Sequence, residues 1–113
     1  MRSVILGYTT FPDEKTAESV CKTLLMDKLV ACVNLLPQGL SFYEWEGEIK
    51  HSTEVIAFMK TTPALVPAIV ECLKTHHPHI CPCFLTFPSD DGLPEFLDWV
   101  RSSVKGYYDT TSN

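Results

Sequence analysis

The chain has 113 residues, 45% of them hydrophobic and 20% charged, which is the balance of one ordinary globular domain. Against 9 basic side chains stand 14 acidic ones, for a formal net charge of −5, and Arg2 and Arg101 are its two arginines. The lack of an Arg/Lys cluster and of a glycine-rich loop counts against phosphate and nucleic acid as main ligands, and the lack of an Arg six residues after any Cys counts against a cysteine phosphatase.

Residues 4–10 are β-rich and predict a first strand. Pro12-Asp13 then punctuates, with Asp13 placed to cap a helix. Ala17, Val20, Cys21, Leu24 and Leu25 recur at helical spacing, so the helix runs to about Lys28 with Cys21 facing the core. Residues 29–36 predict a second strand, Pro37-Gln38-Gly39 a bulge, and residues 40–45 its continuation. Cys32 shares a face with Val30 and Asn34, which predicts burial. Glu46-Gly47 reads as a hairpin turn and residues 48–61 as the return strand. Pro63 opens a second helix with Leu65, Ile69, Cys72, Leu73 and His76 on one stripe, and Pro78 stops it. Residues 84–87 form a short strand. Asp90-Asp91-Gly92 is placed to cap a third helix carrying Leu93, Phe96, Leu97, Val100 and Val104 on one face. A polar tail, 109–113, follows a single domain of residues 1–108.

The order is βαββαβ with a further C-terminal helix. That is the α+β, ferredoxin-like arrangement, an antiparallel sheet with helices on one face. Each arm of the hairpin between the second and third strands has about 14 residues, against a usual 5–6. At ~3.3 Å per residue an arm reaches about 45 Å, whereas a compact domain of this length is about 35 Å across. The ribbon therefore has to project, carrying Phe42, Tyr43, Trp45, Ile49, Val55 and Phe58. Self-association in closed symmetry would cover it.

No apolar run exceeds 29–33, well short of the ~20 residues of a membrane span, and the first eight residues are too short an apolar run for a secretory signal. Five cysteines, an odd number, favour reduced thiols. The expected setting is cytoplasmic, with no membrane and no nucleic-acid partner.

The chemistry concentrates in His76-His77-Pro78-His79-Ile80-Cys81-Pro82-Cys83. Imidazole and thiolate are the ligands of borderline and soft transition metals. The spacing fits no zinc-finger pattern, which leaves an open or shared ion site. His76 and His77 can instead cap a helix end and meet its dipole. Adjacent helical residues point about 100° apart, so a shared ion needs a distorted helix end or a ligand from another chain. Cys81 and Cys83 read either as two half-buried small residues or as a pair for one soft ion or another thiol, with no nearby Lys or Arg to lower their pKa. At the hairpin tip, Tyr43, Trp45 and Glu46 make a cross-strand contact, or with Lys60 they line a cleft between subunits.

Four segments, Thr10-Phe11-Pro12-Asp13-Glu14, Tyr43-Glu44-Trp45-Glu46-Gly47, Lys60-Thr61-Thr62 and His76-His77-Pro78, come in an order and spacing that resemble the CutA family of divalent-cation-tolerance proteins. The resemblance runs over residues 4–104. It implies a non-enzymatic ferredoxin-like protomer in a homotrimer similar to the PII signalling proteins, binding copper or another divalent cation in metal-ion tolerance. A PII-like regulatory or scaffold module, with a small molecule or partner protein at the inter-subunit clefts, is the alternative. The resemblance also implies ligand positions. The family's paired histidines match His76 and His77. Its cysteine at the end of the first strand matches Thr9. A glutamate common after the proline matches Cys83. The metal-site candidates are thus His76, His77 and Cys83.

Overall fold

The computed structural model describes residues 3–106; the polar run 109–113 lies outside them. β1 (Ile5–Phe11) buries Ile5, Gly7, Thr9 and Phe11 on its inner face and leaves Leu6 and Tyr8 half-buried on the other. Gly7 stands where a Cβ would meet Met59 Cγ at 2.8 Å, so glycine lets Met59 fill the core beneath β1. Asp13 then adopts extended backbone and accepts the Thr16 amide at 2.7 Å, opening α1 (Glu14–Met26). These hydrogen bonds to Thr16 hold the Asp13 carboxyl below its ordinary range.

α1 ends on a Schellman cap. Lys28 takes a left-handed φ of 56° and its amide reaches the Leu25 carbonyl, while the Leu29 amide reaches that of Leu24, both at 3.0 Å. That cap consumes Leu29, so the second strand starts later than its β-rich composition predicts. β2 runs Cys32–Trp45, although Leu29 and Val30 are buried at its approach. β3 is Glu48–Thr61. Glu46 and Gly47, with φ of 51° and 79°, make the two-residue turn in which both central residues are left-handed, the form that matches hairpin twist. The β2–β3 register shifts between Leu36 and Gly39, which is the predicted bulge, with Gln38 at φ 65°.

A 3₁₀ turn (Pro63–Leu65) leads into α2 (Val66–His76), and β4 (Phe84–Pro88) completes an antiparallel sheet of order β2-β3-β1-β4. This is the ferredoxin-like order, with α1 and α2 on one sheet face. Phe11, Leu24, Met59, Ile69 and Leu73 are the large side chains sealed between them. α3 (Pro94–Ser103) departs from expectation at its start. Leu93 occupies the cap position without a side-chain bond, and the Asp91 carboxylate accepts its neighbour Gly92's amide at 2.8 Å instead. Pro94 opens the helix through its fixed φ and has no amide of its own to satisfy, while no side chain caps the amides behind it. Its predicted stripe is also only half satisfied: Val100 and Val104 are buried, whereas Leu93, Phe96 and the off-stripe Trp99 are exposed.

The principal extents are 52 × 28 × 22 Å, so the hairpin does project. The projecting part is its distal half. Leu40, Phe42, Tyr43, Trp45 and Ile49 are exposed, while Val55 lies in the core and Phe58 packs on Tyr8 with ring centroids 5.6 Å apart. The sheet face away from the helices is apolar as well, with Leu36, Leu85 and Phe87 exposed on it. No helix of the described residues is long and apolar enough to cross a membrane. Ile69, fully buried between α2 and the sheet, offers a check on this core. Ile69→Ala should cost about 2–5 kcal/mol in a urea titration with the m-value unchanged, whereas Asp91→Ala, outside any helix cap, should leave the midpoint where it is.

Candidate functional site

α2 ends in two histidines with opposite fates. His76, the last helical residue, is exposed. It lines an open groove of about 330 Å³ between α1 and α2 with Lys15, Thr16, Ser19, Val20 and Thr23. The apolar stripe that placed His76 in the core ends one turn earlier, at Leu73. His77 is the buried one. Its backbone leaves the helix at φ −76°, ψ 137°, which turns the ring under the helix end. There it stacks on Phe11, with centroids 5.1 Å apart and planes at 22°. Its Nε2 lies 2.7 Å from the Thr10 carbonyl, and its Nδ1 accepts the His79 amide at 3.1 Å. A carbonyl only accepts, so the ring proton sits on Nε2 and the Nδ1 lone pair is spent on His79. Within this fold His77 therefore has no lone pair free for an ion, and it clasps the end of α2 to the end of β1. His79 is exposed, its ring centroid 4.9 Å from that of His77.

The cysteines divide by depth. Burial pushes the Cys21 thiol up to about 11, with Cys72 adding to the rise, in keeping with its place in the core. Cys32 is half-buried rather than buried, because it starts β2 opposite Lys60. Cys81 and Cys83 are exposed, not half-buried, since β4 begins only at Phe84 and no element covers the approach to it. Thr9, fully buried, donates its hydroxyl to the Cys83 carbonyl at 2.6 Å, which makes it a structural clamp. The Cys83 thiol is pushed up by partial loss of water first, then by the charges of Glu54 and Cys81. Tyr8 is raised by burial first and then by Cys83 and Glu54, so these three side chains share one neighbourhood.

Among the described residues, no three His, Cys, Asp or Glu side chains converge where a metal ion could sit. His76 opens toward α1, and Cys83 stands beside Tyr8. The candidate cleft is likewise not closed by one chain. Tyr43 pairs with Lys50 and Trp45 with Glu48, while Lys60 pairs with Cys32 at the far end of the ribbon. Positions 50 and 60 of an extended strand lie about 33 Å apart. Lys60 Nζ donates instead to Asn34 Oδ1 across the β2–β3 ladder, and Glu46 sits in the turn. Sequence reasoning does not pick out Thr10 and Phe11 as the seat of His77, or Glu54 as a neighbour of Cys83. Only the strand register could reveal them.

Residues 5–103 match the family model described as CutA1 divalent ion tolerance protein. The mouse protein named Protein CutA is 39% identical over 99 residues, which are 88% of this chain and 56% of the mouse protein. The chain thus spans little more than half of that relative. A Citrobacter koseri divalent-cation tolerance protein CutA is 41% identical over 96 residues, 85% of this chain and 84% of the relative. In three dimensions, the crystal structure of CutA1 from Oryza sativa superposes with a TM-score of 0.91 at 28% identity, covering 93% of this chain and 96% of the rice chain. On the match of sequence and fold together, the chain belongs to the CutA1 divalent ion tolerance family.

Proposed function

We propose that the chain works as a homotrimeric metal-ion-binding protein in tolerance of, or response to, divalent metals, copper among them, and that the ion is held where copies meet. One observation carries this reading. The donors with free lone pairs are exposed, and no chain closes a three-ligand site among its described residues. An ion that needs more than two protein ligands then has to draw them from more than one copy. His76 and Cys83 are the ligands assigned, and His77 fixes the helix end on which His76 stands.

The assembly has its own physical support. A ribbon with exposed Phe42, Trp45 and Ile49, and a sheet face with exposed Leu36, Leu85 and Phe87, put apolar area in water that a neighbour would cover. Insertion of one copy's tip beside the sheet of the next would also bring Tyr43, Trp45 and Glu46 to another chain's Lys60, closing the cleft that one chain leaves open. All five cysteines are unpaired, which supports a reducing, cytoplasmic compartment. No enzymatic step is assigned to any of these residues.

Coordination releases protons from the ligands, so affinity should fall as a solution is taken from neutral to mildly acidic. Calorimetric titration of tag-free protein with Cu(II) and Zn(II) at two pH values reads this directly. His76→Ala should weaken binding at least tenfold, and equal binding by that variant removes His76 from the ligand set. His77→Ala should act differently, lowering stability by about 1–3 kcal/mol through two lost hydrogen bonds while the folded fraction still binds. Sedimentation at micromolar concentration should give a trimer; a well-folded single subunit there rejects the assembly.

A further inference from the structure

Two thiols remain that the reading above uses only in part. Cys81 and Cys83 are the exposed cysteines among the described residues, and a single residue, Pro82, separates them. Their spacing bounds their reach: Cα atoms two residues apart lie within about 7 Å whatever the backbone does. Pro82 fixes its own φ and biases Cys81 toward extended backbone, so little chain freedom separates the two. The far end of the unit is fixed as well. The Cys83 carbonyl is held by Thr9 Oγ1 at 2.6 Å, and Phe84, the next residue, is already paired with Thr9 in the sheet. The pair is therefore presented to solvent on a short, clamped segment.

Ligand number decides what such a pair can hold. A site with three or more protein donors is absent among the described residues, which disfavours Zn(II), with its four-coordinate preference, within one chain. Closed-shell monovalent soft ions are satisfied by thiolates alone. With metal–sulfur bonds of about 2.3 Å, a linear ion holds its two sulfurs about 4.5 Å apart, within reach of side chains on Cα atoms so placed.

We propose that Cys81 and Cys83 form a two-thiolate site for a soft monovalent ion such as Cu(I), separate from the divalent-ion reading and shared with it only through Cys83. Binding one Cu(I) removes one proton from each thiol, forms two sulfur–metal bonds and leaves a complex of charge −1, with no change of oxidation state. Glu54, near Cys83, adds negative charge that attracts the cation.

The test is competition for Cu(I) between fully reduced, anaerobic protein and a colorimetric Cu(I) chelator, with free thiols counted before and after. The wild-type chain should remove one Cu(I) per chain from the chelator and protect two thiols from alkylation. Cys81→Ser should weaken Cu(I) uptake at least tenfold and leave Zn(II) titration unchanged. The double variant Cys32→Ser/Cys72→Ser should behave as wild type. Unchanged Cu(I) uptake by Cys81→Ser/Cys83→Ser overturns the inference, as does uptake lost only in the Cys32/Cys72 variant. A chain that takes Cu(I) through this pair but binds no divalent ion through His76 keeps this site and rejects the earlier reading. Divalent binding through His76, with Cu(I) uptake indifferent to Cys81, does the reverse.

Discussion

A long β-ribbon on a small body is the constraint from which the rest of this molecule follows. The β2–β3 ladder runs without a break in hydrogen-bond partnership except at the bulge after Leu36, and it ends in a turn of two left-handed residues. The ladder carries the ribbon out beyond the core, along the 52 Å long axis of the molecule. Near the body its inner face is sealed, with Val55, Ala57 and Met59 all buried. Toward the tip nothing of the same chain is left to cover Phe42, Trp45 or Ile49, and they are exposed. An arrangement of this kind separates two jobs along one pair of strands. The proximal half holds the domain together, and the distal half is built for contact with something else.

The histidine pair shows how the same principle sorts chemistry. Two adjacent side chains at a helix end must face different ways, and the fold uses the difference. One imidazole goes inward to stack on Phe11 and bridge the Thr10 carbonyl and the His79 amide. That makes it a joint between α2 and the end of β1, with both nitrogens committed. The other goes outward, over the groove against α1. Identical residues thus become a structural element and a candidate ligand through one change of backbone, from helical at His76 to extended at His77.

Much of the architecture was legible in the sequence. The amphipathic stripe of α1, the Glu46-Gly47 turn, the bulge at Pro37-Gln38-Gly39 and the full span of β3 all follow from periodicity and turn chemistry, which act over a few residues. The failures share a cause. Leu29 and Val30 have strand composition, yet the Schellman cap of α1 claims Leu29. Asp90 and Asp91 look like helix caps, yet Pro94 starts the helix without one. His76 extends an apolar stripe that the helix no longer needs. Each misreading lies at an element's end, where tertiary partners outweigh propensity. The site was less legible than the fold. The seat of His77 is made by residues more than sixty positions away in the chain, and the tip residues and Lys60 share a strand pair without sharing a place.

Position 9 ties these threads together. By the resemblance to its family, a cysteine is expected there, and a threonine stands instead. A thiol is a poor hydrogen-bond donor, whereas the Thr9 hydroxyl makes a short bond to the Cys83 carbonyl from a fully buried position. Cys83, in turn, matches by the same resemblance a position where a glutamate is expected. The hydroxyl at the strand end therefore also holds in place the backbone of an exposed thiol. Among the residues at this junction the soft donor thus stands on the exposed approach to β4, while the buried interior of the sheet holds a hydroxyl. A donor at that place, with a second thiol two residues before it, meets ions by a different route and with a different preferred coordination number than a lone cysteine inside the sheet would.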